Sequence, residues 1–145
     1  GQGLACARIG EGPEAGRIAC VATARQGEGG VRVIRLSVAA DIGRIVNHDI
    51  AKQQIEGGLV FGMGIALGNA LRLRGGLPEG SDDSALGLPV LADCPEMRIE
   101  FIASEAPPAD PGELGTVVAP PAIANALFSA TGLRLRRLPL LSDGI

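Results

Sequence analysis

The chain has no tryptophan and no tyrosine, and Phe61, Phe101 and Phe128 are its only phenylalanines. That removes the stacking platforms on which single-stranded nucleic acid is held. A net charge of −3 over 145 residues leaves no basic footprint for duplex DNA. Nucleic acid is excluded as a partner on both counts. Cysteine is scarce too: Cys6, Cys20 and Cys94 are far apart and form no CxxC pair. With His48 the only histidine, no metal ligand set is assigned and no iron–sulfur cluster fits in this chain alone. Three reduced thiols point to the cytoplasm. A chain that begins at Gly1 rather than Met leaves room for a preceding targeting segment. No Ser/His/Asp or Cys/His arrangement can be built without His48. Beside Asn47 and Asp49, that histidine reads as a helix-start residue. There is no P-loop, and no GxGxxG opens a helix after a strand. The longest apolar stretch, Gly57 to Leu71, is broken by glycines and Asn69. It falls short of the ~20 residues of a membrane span.

What is present is aliphatic. Hydrophobic residues make up 46% of the chain, punctuated by 22 glycines and 10 prolines. This is enough apolar mass for a single domain over residues 1–145 with a core of Leu, Ile, Val and Ala. Arg17–Arg25 and Val31–Ala40 are strand candidates, joined by a glycine-rich hairpin loop over Gln26–Gly30. In the second, apolar alternation slips phase at Ile34, which a β-bulge explains. From Asp49 the spacing becomes helical, with Ile50, Ile55, Leu59, Met63 and Leu67 recurring and Asn47 or Asp49 as N-cap. Gly57, Gly58, Gly62, Gly64 and Gly68 each cost a helix about 1 kcal/mol relative to alanine. Such a helix requires another backbone or a ligand hard against it. The segment from Gly75 to Pro89 reads as a long loop that includes the solvated Asp82 and Asp83. Met97–Ala103 alternates as a strand. Ser104–Ala119 reads as a loop, after which Pro120 and Pro121 open a helix over Ala122–Thr131, closed by Gly132. Leu133–Leu140 reads as a final short strand. The fold class is α+β, a mixed sheet with two packed helices.

Two carboxylates draw attention by their settings. Glu56, in Gln54-Ile55-Glu56-Gly57-Gly58, precedes the glycine-rich apolar run and reads as a capping or hydrogen-bonding group, or as part of a cofactor wall. Glu113, in Pro111-Gly112-Glu113-Leu114-Gly115, lies between glycines that allow close approach of a ligand. A carboxylate flanked by apolar residues has its charged form disfavoured, which suits a general base. The plainer reading is an exposed loop glutamate.

Four segments occur in a telling order: Asp41-Ile42-Gly43-Arg44-Ile45-Val46-Asn47, Gln54-Ile55-Glu56-Gly57-Gly58, Gly112-Glu113, and Pro121-Ala122-Ile123-Ala124-Asn125-Ala126. Together they resemble the C-terminal part of the molybdenum-binding subunit of the xanthine dehydrogenase/aldehyde oxidase family, in its isoquinoline 1-oxidoreductase-like form. The resemblance runs from Asp41 to Pro139 and is weaker before Ala40. It implies a molybdopterin cofactor, the cytosine dinucleotide in many bacterial members, and hydroxylation of an N-heterocycle or aldehyde. It also implies electron transfer to a [2Fe-2S] subunit. By the same resemblance Glu113 is the glutamate that removes a proton as general base, and Gln54 and Gly112 lie at the cofactor. The Gly-Val-Gly-Glu of the family reads Asp110-Pro111-Gly112-Glu113 here, and His48 stands where the family has proline. Family subunits are several times longer, so the cofactor is expected only in an assembly with the remainder of the subunit, the chain alone being inactive. The alternative is a truncated, non-catalytic homologue acting as an assembly or interaction module.

Overall fold

The computed structural model describes residues 1–27, 30–68, 70–71, 73–79 and 87–141; Asp82, Asp83 and most of the loop around them lie outside the described residues. Four strands form one mixed sheet: β1 (Gln2–Ile9), β2 (Gly16–Gly27), β3 (Gly30–Asp41) and β6 (Glu96–Phe101), in the order β1-β2-β3-β6. The first three run antiparallel to their neighbours, and β6 lies parallel to β3. A small hairpin pairs β4 (Leu73–Arg74) with β5 (Leu77–Pro78), its second strand within the stretch from Gly75 expected to be loop. Helices α1 (His48–Leu67) and α2 (Leu114–Thr131) pack on one face of the main sheet. The expected mixed sheet with two packed helices is the architecture found.

The β2–β3 hairpin follows from the alternation in its sequence. Thr23 faces Arg35 and Ala24 faces Val33, so Ile34 has no opposite number and is the extra residue of the expected bulge. The bulge keeps Val33 and Leu36 both buried although they stand three positions apart, an odd offset in a strand. Met97, Ile99 and Phe101 of β6 point the same way, half-buried against the core. At the start of β6, Glu96 accepts hydrogen bonds from Arg35 and Arg98, which hold its carboxyl below the ordinary value.

Strand β1 carries no such signature. Its inward residues are Gly3, Ala5 and Ala7, while Leu4 points outward and is 58% exposed. The reason is proximity: a Cβ on Gly3 would lie 2.1 Å from the backbone nitrogen of Ala126 in α2. The helix backbone takes the space that bulky side chains fill elsewhere.

Helix α2 corrects the expected loop at Ser104–Ala119, because it begins at Leu114 and holds Pro120 and Pro121 in its interior. Proline at these positions removes the hydrogen bonds to the carbonyls of Thr116 and Val117. The Thr116 carbonyl oxygen lies instead against α1 at Gly62, where an added Cβ would stand 2.7 Å away. Burial of Leu114, Val118, Ala119, Ala122, Ile123, Ala126 and Leu127 outweighs the lost bonds. By length and a mean hydropathy of 1.3, α2 is the helix among the described residues apolar enough to cross a membrane; 56% of it is buried here, so its apolar surface belongs to the core. Gly132 ends it at φ +77°, as expected of a left-handed cap. The expected final strand at Leu133–Leu140 is absent: this segment is irregular, and Leu140 anchors it by burial and an N–H bond to the Ala66 carbonyl, 2.7 Å.

Two outcomes test this packing. Gly3→Ala is expected to lower stability by about 1–3 kcal/mol in chemical denaturation, whereas Gly27→Ala, whose Cβ meets nothing within 4 Å, changes it by less than about 0.5 kcal/mol. Burial of Cys20 raises its thiol from 9.0 to about 12. The unfolded thiol loses its proton above pH 9 while the folded one keeps it, so stability falls as pH rises from 9 towards 12. Cys20→Ala removes that part of the decline in denaturant midpoints measured across this window.

Candidate functional site

The site elements converge where two helices meet without side chains between them. A Cβ on Gly115, in the first turn of α2, would lie 2.6 Å from both the Ile55 carbonyl oxygen and the Leu59 nitrogen. On the other side, a Cβ on Gly58 would stand 3.2 Å from the Gly115 Cα and the Thr116 nitrogen. The Thr116 hydroxyl donates to the Gly58 carbonyl, 3.3 Å, and ties the crossing together. The expected close partner of the glycine-rich helix is thus a second backbone. Only part of the glycine set takes part, for Gly57 meets nothing within 4 Å.

This crossing sets Gln54 and Glu113 in the same neighbourhood. Gln54 lies one residue before Ile55, on the exposed face of α1, and Glu113 lies two residues before Gly115. Glu113 is the N-cap residue of α2, with φ −104° and ψ −1°, and its side chain makes no capping bond. Both side chains are exposed, so this chain by itself does not provide the apolar surroundings expected for Glu113. Gly112 precedes it in a turn closed by Asp110, whose Oδ1 accepts the Gly112 N–H at 2.8 Å. The departure from Gly-Val-Gly-Glu therefore has a structural consequence: aspartate in place of the first glycine supplies the turn's acceptor. It also occupies the Gly112 N–H, leaving Gly112 to contribute close approach rather than a donor. Glu56 pairs with Lys52 across one helical turn, 3.7 Å, on a partly exposed surface. That is an ion pair rather than the capping or hydrogen-bonding role expected of it.

At the start of α1, the Asn47 side chain accepts the Ile50 N–H at 3.1 Å, the expected cap. His48 follows in the first turn, exposed, with its ring edge-on to Phe101 at 5.9 Å between centroids. The helix-start role holds.

Sequence reasoning quoted the segment from Asp41 without seeing what it does. It is the bracket for the loop that carries Glu113. Asp41 Oδ1 accepts the Gly43 N–H, and its other oxygen meets Arg17 at 3.4 Å. Gly43 has φ +67°, and a Cβ there would lie 2.1 Å from the Pro107 carbonyl oxygen. Arg44 N–H donates to Ala106, and Ala109 N–H donates to Ile42. The lone Asn125 inside an apolar helix was a second overlooked signal. Its Nδ2 donates to the Leu4 carbonyl at 2.9 Å, and its Oδ1 accepts from Arg134, which lies 3.6 Å over the Phe128 ring. This clamp holds β1 to α2.

Comparison with known proteins identifies this arrangement. A family model described as a molybdopterin cofactor-binding domain matches residues 13–95, more than half of the chain. The chain belongs to that family. Within it, this molybdopterin cofactor-binding domain is 39% identical over 106 residues to a protein of Gluconacetobacter polyoxogenes named membrane-bound aldehyde dehydrogenase [pyrroloquinoline-quinone], covering 73% of this chain and 14% of that protein. It is 37% identical over 123 residues to the aldehyde oxidoreductase molybdenum-binding subunit PaoC of Escherichia coli K12, covering 79% and 17%. Among solved structures, the aldehyde oxidoreductase of Desulfovibrio gigas superposes with a TM-score of 0.69 at 27% identity, over 87% of this chain and 14% of that one. The domain thus spans about one-seventh to one-sixth of the length of these relatives.

The donor set at the crossing is of a kind that would suit the edge of a molybdopterin site. Gln54 offers an amide and Glu113 a carboxylate, both exposed beside the crossing of α1 and α2. The glycines at that crossing are filled by each other's backbones and leave no hollow for a cofactor between the helices.

If the crossing sets the geometry, its two kinds of glycine respond oppositely to a methyl group. Gly57→Ala is expected to raise stability by about 0.5–1 kcal/mol, and Gly115→Ala to lower it by about 1–3 kcal/mol, both read from thermal or denaturant unfolding.

Proposed function

We propose that this domain forms part of a molybdenum hydroxylase that oxidises an aldehyde or an N-heterocyclic substrate. Glu113 is its general base, and Gln54 and Gly112 lie along the cofactor. The observation that carries this reading is the glycine crossing, which sets the turn bearing Gln54 next to the helix start bearing Glu113. Molybdopterin, in its cytosine dinucleotide form, would hold a molybdenum centre able to accept the substrate's electrons. The chain's own part is narrower. Glu113 accepts a proton at its carboxylate, and Gln54 offers amide donors and an acceptor at the edge of the site. The bracket from Asp41 to Arg44 holds the 106–109 segment, and through it the Glu113 loop, in register with α1.

The remainder of the subunit encloses Glu113 and withdraws it from water, as general-base work at a buried centre requires. A [2Fe-2S] partner subunit would receive the electrons, and the three free thiols, none in a disulfide, suit a reducing, cytoplasmic setting. In this account residues 1–145 fold as one domain of that larger subunit. The exposure of Glu113 also supports a second reading, a non-catalytic assembly module. The two readings part on one substitution. In the assembled enzyme, Glu113→Gln should lower turnover by about 10²–10⁴-fold while molybdenum content, read by elemental analysis, stays near the parent level. Unchanged turnover favours the assembly module.

A further inference from the structure

The helices cover one face of the sheet; the other face has its own pattern. There Cys6, Ala19 and Ala39 lie directly opposite one another across β1, β2 and β3. The neighbouring row is Leu4, Val21 and Ser37, in which Leu4 is 58% and Val21 36% exposed. Just beyond β6, Ile102 is 54% exposed and, with Cys6, Ala19 and Ala39, lines a cleft of about 490 Å³. A sheet face meant for water alternates apolar-in with polar-out, and parallel strand pairs such as β3–β6 are generally covered on both faces. This face is apolar at its centre, and no other described element lies over it.

Its rim is charged and only partly paired, for Glu100 stands directly across from Ala39 at the β6 end of the same row. At one end Arg17 pairs with Asp41, and at the other Arg35 and Arg98 pair with Glu96. Arg8, directly across from Arg17 and lining the same cleft, has no ion-pair partner among the described residues. The end of the cleft near Arg8 therefore carries one uncompensated positive charge.

We infer that this outer sheet face is the surface through which the domain docks onto the remainder of a molybdenum-binding subunit. The occupant is a segment that places an aliphatic side chain in the cleft beside Ala19 and Ala39 and a carboxylate opposite Arg8. The partner follows from proportion: the domain spans 14–17% of the two aldehyde-oxidising relatives' lengths, so in such molecules most of the polypeptide lies outside it. One sheet face here is already filled by α1 and α2, and the apolar face is the one left. The inference rests on the proposed membership of a larger molybdenum subunit, and the test separates the two.

Cys6 is a built-in reporter, exposed at the centre of the face, whereas Cys20 is buried and Cys94 is half-buried elsewhere. The chain is mixed with the E. coli molybdenum-binding subunit lacking its matching segment, and maleimide labelling of each cysteine is followed by mass spectrometry. Docking predicts at least a tenfold slower labelling of Cys6 in the complex, with Cys94 unchanged. Ala39→Arg, at an exposed position, should leave the unfolding transition in place and abolish co-elution. Arg8→Glu should weaken association about tenfold. A complex in which Cys6 labels as fast as before, and which Ala39→Arg does not disturb, overturns the docking face while leaving membership intact. Absence of any complex with the parent chain overturns both. Protection of Cys6 in the chain alone, growing with its concentration, makes a second copy the occupant and overturns the assignment.

Discussion

Two backbones come closer in this molecule than side chains ordinarily allow, and the rest of the structure is arranged around that contact. Gly115 enters the groove of α1 at Ile55–Leu59, and Gly58 and Gly62 receive the first turns of α2. At Gly115 and Gly62 a single methyl group cannot be added without shifting the facing backbone, so the crossing fixes how closely the two helices approach. The same helix presses on β1 through Gly3 and on β2 through Gly16, the latter by the Leu114 side chain. Helix α2 is therefore fixed from two sides by residues chosen for having no side chain. Its two internal prolines are tolerable in that setting, because packing rather than hydrogen bonding holds it.

This explains how a chain so poor in aromatic residues and in titratable clusters can still carry a candidate site. Precision comes from backbone contact, and the chemistry from a few side chains displayed at its edge. Gln54 lies in α1 and Glu113 caps α2, more than fifty positions apart in sequence, and each stands within two residues of a backbone contact of the crossing. The turn at Asp41–Arg44 adds a second constraint, because its hydrogen bonds to Ala106 and Ala109 hold the approach to Glu113. A domain built this way is rigid where its helices touch and incomplete where they end, which accords with its being a small share of its relatives' length.

Much of this was legible in the sequence where a side chain decides the outcome. The β2–β3 hairpin, its bulge at Ile34, strand β6, and the start of α1 at Asn47 all follow from alternation, phase slip and capping. The need for a close backbone partner was legible from the glycines of α1, though nothing local said which of them would be used. What stayed hidden was decided by the absence of side chains or by tertiary contact. In β1 the inward residues are small because α2 lies against them, so its outward Leu4 inverts the usual signal. In α2 the prolines point to a helix start at Ala122, while burial extends the helix eight residues earlier, to Leu114. At Leu133–Leu140 an apolar alternation reads as a strand, yet no sheet edge is offered to it. Glu113 drew attention through its glycine setting and the ordered motifs, and its exposure in this chain is the one its plainer reading, an exposed loop glutamate, gives.

The central claim is that the glycine crossing builds one wall of a molybdopterin site, with Glu113 and Gln54 facing the cofactor. An experimentally determined structure of the assembled enzyme with cofactor bound tests it most directly. The account predicts the Gly58–Gly115 contact preserved, Gln54 within hydrogen-bonding distance of the cofactor, and Glu113 enclosed on the substrate side of the metal. A cofactor bound away from α1 and α2, with Glu113 still open to solvent, would contradict it.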